Sequence, residues 1–429
     1  MRAESVDLLV VGAGPAGLAA ARTVQQSGAR VVVLDREQDP GGIPRHCHHT
    51  GFGVRDLHRL YSGPAYARRS TELTTAAGAE IRTGWTVTEW AGDTSVVATS
   101  RTGRTRIDAG AVVLATGCRE RPRPARLVPG TRPAGVFTTG ALQQFACSGH
   151  GHVGRRAVIV GTEHIAFSAL HTLTSSGTEV AAVITESPLL ETYQALRIGT
   201  AGVHRVPVLT STRLSGIEGR ERVEGVILTD LATDIARRVV CDTVVFTGDW
   251  IPDHELCRAA GLRMDSQTHG PIVDGAGRTS RPGVFAAGNL IHPAEPADVA
   301  GLGGRHLAQA ITAWLTNRSG FDLTAIGVGH QSPLAWVTPQ LIRPHESPAR
   351  DLFILRADEP AGPGHVVVRQ DTLELHRQKV SRLVPNRPLT LRASWLRAVN
   401  WSGPGIEISY SSQSRAPRRR SVAAARLNL

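Results

Sequence analysis

Gly12-Ala13-Gly14-Pro15-Ala16-Gly17 follows an apolar run, Val6 to Val11, and opens an Ala-rich segment of helical periodicity that reaches Gln26. Glycines at these spacings have separate uses. Gly12 permits a tight turn, Gly14 lets the backbone approach a diphosphate, and Gly17 lets a helix pack on a strand. Pro15 and Ala16 lie in the first helical turn, where unpaired N–H groups and a partial positive charge favour phosphate. The next apolar run, Val31 to Leu34, ends in Asp35 and Arg36. A carboxylate there accepts hydrogen bonds from ribose hydroxyls and repels a 2′-phosphate. Strand, glycine turn, helix, strand and acid together predict a bound adenine dinucleotide, with Gly12, Gly14, Pro15, Ala16, Gly17, Asp35 and Arg36 as its contacts.

Three other groups of residues could do chemistry. Gly41-Gly42 leads into Arg45-His46-Cys47-His48-His49, where imidazoles can carry protons near neutral pH. Cys47, His48 and His49 are the candidate catalytic residues. Neighbouring side chains on a loop diverge, so no metal site is expected from them. A second glycine loop, Gly161-Thr162-Glu163-His164-Ile165-Ala166, has Glu163 in place of its middle glycine. That carboxylate would bring bulk and charge toward two phosphates, and even well-solvated like charges at ~4 Å repel by about 1 kcal/mol. NAD(H) is therefore disfavoured there; Glu186, ending the following strand, would suit NAD over NADP. Finally, Asp249, Trp250 and His254 lie in a turn that could wall a cleft or move protons.

Composition narrows the function classes. The 429 residues carry a formal charge of +11, and Lys379 is the only lysine. The arginines are scattered rather than gathered in one stripe, so no nucleic-acid partner is expected. One lysine leaves little scope for Schiff-base chemistry. Cys47, Cys118, Cys147, Cys241 and Cys257 stand far apart, which suits reduced thiols and offers no readable iron-sulfur or zinc spacing. No stretch approaches 18 uninterrupted apolar residues and no basic leader precedes the first strand, so a cytoplasmic protein without a membrane span is expected.

Two βαβ openings, at residues 6–35 and 157–184, imply an α/β fold with two Rossmann-like units. Gly84 to Ala98 and Thr105 to Asp108 read as an antiparallel excursion before a buried strand, Ala111 to Leu114. Gly283 to Ala287 reads as another strand, and Ala297 to Leu315 as one helix. Residues 1–119 and 277–320 are expected to form the first unit, with 120–276 inserted into it. Short alternating runs predict a small β-rich appendage over 321–411, and 412–429 a basic, disordered tail.

Ala115-Thr116-Gly117 and Gly283-Val284-Phe285-Ala286-Ala287-Gly288-Asn289 resemble the later flavin-contact motifs of two-dinucleotide-domain flavoproteins, the superfamily of thioredoxin reductase and the pyridine nucleotide-disulfide oxidoreductases. The resemblance implies FAD on the first unit, with Gly42, Thr116, Gly117, Gly288 and Asn289 added to its contacts. Asn289 stands where that family usually has Asp. It also implies that the helix after Ala297 aims its N-terminus at the flavin. Dithiol chemistry does not follow, because Cys47 and Cys147 each stand alone. Glu120-Arg121-Pro122, Pro129-Gly130 and Gly135 to Ala141 with Gln143 resemble the linker of FAD subunits of heteromeric amine, opine and sarcosine oxidases. Gly41-Gly42-Ile43, Cys47, His49, Gly51-Phe52-Gly53 and Ser62 to Ala67 are similar to bacterial FAD oxidoreductases encoded beside glycerol-3-phosphate dehydrogenases. The C-terminal cysteine cluster of many such subunits is missing. The expected function is an FAD-dependent dehydrogenase or oxidase subunit. It would take a hydride from a small amine, amino acid or hydroxy acid and pass electrons to a separate acceptor, such as a partner subunit. An NADH-dependent flavin reductase and a non-catalytic flavoprotein scaffold are the alternatives.

Overall fold

The computed structural model describes residues 2–147, 151–192, 206–318, 321 and 324–412. Its first sheet is built on β1 (Arg2–Val11), followed by α1 (Pro15–Gln25) and β2 (Val31–Asp35). After α2 (Gly63–Ala76) come β3 (Glu80–Thr83), β4 (Thr86–Trp90), β5 (Ser95–Ser100) and β6 (Gly103–Leu114). The order is β3-β2-β1-β6-β5-β4. Leu8, Leu9, Val10, Val112, Val113 and Leu114 are fully buried, as expected for parallel strands covered on both faces. The second part of the excursion, Thr105 to Asp108, and the buried strand Ala111 to Leu114, foreseen separately, are one strand, β6. Its first half pairs antiparallel with β5, and its last residues pair parallel with Val284–Ala286. A change of partner lets it run through Ala109 and Gly110 unbroken.

The second parallel sheet comprises β7 (Val136–Thr138), β8 (Arg156–Val160), β9 (Glu179–Ile184), β10 (Val208–Leu209) and β11 (Thr243–Phe246), in the order β7-β11-β8-β9-β10. α3 (Thr139–Cys147) and α4 (His164–Ser175) pack on it. A three-stranded antiparallel sheet over Thr212–Gly219, Val223–Asp230 and Ala236–Val240 lies before β11. Returning to the first sheet, the chain forms α5 (Ala297–His306) and α6 (Ala308–Asn317), divided at Leu307 where a single helix was expected. Gly304 brings α5 against α1, since a Cβ there would stand 2.0 Å from Ala16 O.

The rest of the described chain forms a five-stranded and a three-stranded sheet around Phe353, Leu355, Val366, Val368, Leu391, Trp395 and Ile408. This β-rich part grips the rest of the chain. Trp336 stacks on buried His292 at 5.1 Å, and Arg356 meets Glu295 at 2.7 Å. Arg343 and Arg278 both reach Asp274, whose side chain has no exposed surface. The last strand runs to Ser412; the tail expected beyond it lies outside the described residues. Among the described residues no helix is long and apolar enough to cross a membrane.

Candidate dinucleotide site

The crevice beyond the C-terminal ends of β1 and β6 is the switch point of the first sheet, where open α/β sheets hold ligands. Gly12 has φ of 106° and a Cβ there would lie 2.4 Å from Ala115 O; a Cβ on Gly17 would lie 1.9 Å from Gly12 O. These two glycines are required by packing. At Gly14 a Cβ would meet nothing within 4 Å, so its missing side chain serves whatever lies beside the backbone. Gly14 is the N-cap of α1, no side chain caps that helix, and no acid stands in its first turn. Its N–H groups and positive end are thus left for an anion.

Neighbouring loops frame the crevice. Asp35 Oδ2 accepts from Ala13 N at 2.6 Å and Oδ1 from Glu37 N at 2.8 Å, tying the acid to the glycine turn. Gly41 N donates to Ala13 O at 2.8 Å, and a Cβ on Gly42 would stand 2.9 Å from Gly14 Cα. Thr116 Oγ1 donates to Asp253 O at 2.7 Å, and Gly117 O accepts from Asp253 N at 2.9 Å. Arg36, largely exposed, lies 3.4 Å from the Asp253 carboxylate. Gly288 approaches α1, where a Cβ would be 2.7 Å from that of Ala16. Asn289 closes its own loop by accepting from Glu295 N at 2.9 Å and donating to Glu295 O at 3.3 Å. The start of α5 carries buried Asp298, which accepts from Val299 N and pairs with Arg55 at 3.2 Å. A carboxylate and a guanidinium therefore already attend that helix end.

The loop after Gly42 does not point its three candidates the same way. Cys47 is buried and donates to Gln143 Oε1 at 3.4 Å; burial pushes its thiol up to about 12, so it is neutral at pH 7. His48 is exposed. His49 lies between the units, with Nδ1 2.9 Å from Thr50 O and Nε2 2.8 Å from Ser168 Oγ. A carbonyl oxygen only accepts, so Nδ1 carries a hydrogen, and in the tautomer with that one ring hydrogen Nε2 accepts from Ser168. Gln143 Nε2 in turn donates to Ser168 Oγ at 2.8 Å. Cys47, Gln143, Ser168 and His49 thus form one directional chain that joins the loop to α3 and α4. Ser168 was not foreseen: it lies 119 residues from His49 and nothing in its own helix marks it.

Buried Tyr66 donates to Asp56 at 2.6 Å beside Gly301, another pair the sequence did not reveal. Asp249 pairs with Arg121 at 3.3 Å, His254 Nδ1 meets His269 O at 2.5 Å, and Trp250 pairs with Glu120 in a short antiparallel ladder. These three belong to the strap between the units. Among the described residues no three His, Cys, Asp or Glu side chains are grouped to hold a metal.

Exposure separates the thiols. An aromatic disulfide reagent should label exposed Cys147 in the native protein and Cys47 only after unfolding, and Cys147→Ser should remove the fast phase. Rapid native labelling of Cys47 would contradict its burial.

The chain belongs to the pyridine nucleotide-disulphide oxidoreductase family, which its residues 6–314 match. Its first crevice fits FAD. Over 330 residues it is 30% identical to the opine oxidase A subunit of Rhizobium meliloti, covering 70% of this chain and 61% of that one. Over 289 residues it is 31% identical to the alpha subunit of sarcosine oxidase from Corynebacterium sp. (strain P-1), covering 63% and 29% of the two chains. The crystal structure of T. acidophilum thioredoxin reductase shares the fold, with a TM-score of 0.61 at 21% identity over 72% of this chain and 98% of that one. The chain thus spans less than two thirds of the curated relatives named here.

Proposed function

We propose that the chain is the FAD-bearing part of a dehydrogenase or oxidase acting on a small amine, amino acid or hydroxy acid, with electrons leaving to a separate acceptor such as a partner subunit. The observation that carries this reading is the state of Cys47. The thiol in the loop beside Gly42 is neutral, buried and bonded to Gln143, so no thiolate stands ready for disulfide exchange. The likeness to opine and sarcosine oxidase subunits supports the substrate class.

FAD, when bound, supplies the hydride acceptor. The protein supplies placement. The uncapped start of α1 and the Gly14 backbone hold the diphosphate, and Asp35 orients the ribose. Oxidising an amine or alcohol also releases a proton from nitrogen or oxygen. Of the two candidate imidazoles, His48 is the exposed one, and we assign it that proton. His49, bonded at both nitrogens, is a positioning residue, and Cys47 fills buried space in the same loop.

Anaerobic addition of small amines, amino acids and hydroxy acids should bleach the flavin absorbance for one of these classes. His48→Gln should slow that bleaching by about 10²-fold. Rapid bleaching by NADH instead would overturn the reading and favour a flavin reductase.

A further inference from the structure

The second sheet has its own switch point, the crevice beyond the ends of β8 and β11. Gly161 follows one strand, and Thr247 and Gly248 follow the other. The side chain of Glu163 lies between them: a Cβ on Gly161 would stand 2.7 Å from Glu163 Oε2, and one on Gly248 would stand 3.1 Å from Glu163 Cδ. Glu163 is the N-cap residue of α4 yet makes no capping bond. It is 6% exposed, and its Oε1 has no hydrogen-bond partner.

Other elements pack beside the same crevice. From the linker between the units, Arg126 donates to Thr247 O at 3.1 Å and to Gly248 O at 2.7 Å, with its guanidinium 5.2 Å from the centre of the Phe246 ring. From the β-rich part, Asn386 donates to Glu191 Oε1 at 3.0 Å, and Arg387 donates to Thr192 O. Glu191 itself lies 3.5 Å from Thr162 Oγ1 in the glycine loop. Gly14, at the corresponding position of the first crevice, faces no atom within 4 Å.

We propose that Glu163 determines which reductants this protein accepts: its side chain fills the diphosphate position of the second crevice, and nicotinamide dinucleotides are shut out. This rests on the reading above, in which electrons arrive from a small molecule. The second unit then acts as a frame, holding Gln143 and Ser168 against the loop of the first.

Burial pushes the Glu163 carboxyl up to about 7, against a hydrogen bond from Thr247. Arg126 from the linker and Glu191 from beyond β9 are the charged groups acting on it; His164 follows it on α4, and Asp249 at the end of β11 acts on Arg126. An acid whose folded-state pKa is raised holds its proton longer in the folded state. Stability therefore falls as pH rises from about 4.5 to about 7 and then levels.

The test compares the flavin-loaded wild type with Glu163→Gly and Glu163→Gln by calorimetric titration with NADH. Glu163→Gly, which restores a glycine at the turn, should bind NADH at least about tenfold tighter than the wild type. Glu163→Gln keeps the bulk and should not gain. It should instead remove the fall in stability between about pH 4.5 and 7. If Glu163→Gly loses flavin through misfolding, Glu163→Ala takes its place in the comparison. An unchanged NADH affinity in the small-residue variant, a Gln variant that binds equally well, or an unchanged pH slope would each overturn the proposal. Bleaching of the wild type by NADH would sink the functional reading as well. An unresponsive Gly or Ala variant of a protein that still oxidises a small substrate sinks this inference alone.

Discussion

Gly14→Glu yields a folded but colourless protein. The first crevice then carries the same acid as the second, at the corresponding turn. Because a Cβ on Gly14 meets no atom within 4 Å, the substitution leaves β1, α1 and β6 packed as they are. What it changes is the space beside the backbone. A carboxylate about 4 Å from a phosphate at an effective dielectric constant of ~20 costs about 4 kcal/mol, roughly a thousandfold in affinity. The check is the ratio of flavin to protein absorbance after purification, together with unchanged far-ultraviolet circular dichroism. Gly17→Ala would be less informative. Its Cβ would press on Gly12 O at 1.9 Å, so fold and cofactor would be lost together. A yellow, folded Gly14→Glu protein would mean that the diphosphate lies elsewhere.

Asp274→Asn lowers stability by about 3–5 kcal/mol, the usual consequence of leaving buried charges without their partner. Asp274 Oδ2 lies 2.6 Å from Arg343 Nε and 3.1 Å from Arg278 Nη1, while Oδ1 accepts from Ala276 N and Arg278 N. The two arginine side chains are 8% and 6% exposed. Arg278 keeps Glu346 at 2.7 Å. Denaturant unfolding measures the change, and adding Arg343→Met should recover part of it. A single-variant loss below about 1 kcal/mol would show water reaching the cluster.

Much of this molecule is legible in one dimension. The first glycine turn, Asp35 and the two βαβ openings are local patterns, because a turn, a helix start and the next strand lie close together along the chain. The α/β fold follows from them. Contacts between distant segments are not legible in this way. Ser168 meets His49, Arg343 meets Asp274 and Trp336 meets His292 only because three parts of the chain converge, and no spacing rule reports such a meeting. Asn289 illustrates the same limit within one loop. Its amide bonds to Glu295 in both directions, a pairing its residue type does not announce. The long strand β6 escaped for a related reason, since strand length here depends on which neighbour is available at each point.

The β-rich stretch looks detachable in the sequence, beginning after a helix and repeating short strands with its own core. Its charged side chains say otherwise. Severing the chain near residue 320 would take away Arg343, Glu346 and Arg356. Asp274 would be left with one guanidinium, Arg278 with one carboxylate, and Glu295 without its partner Arg356. The part most easily drawn as a separate module is thus bound into the energetics of the part that precedes it, and neither half can be expected to keep its shape alone.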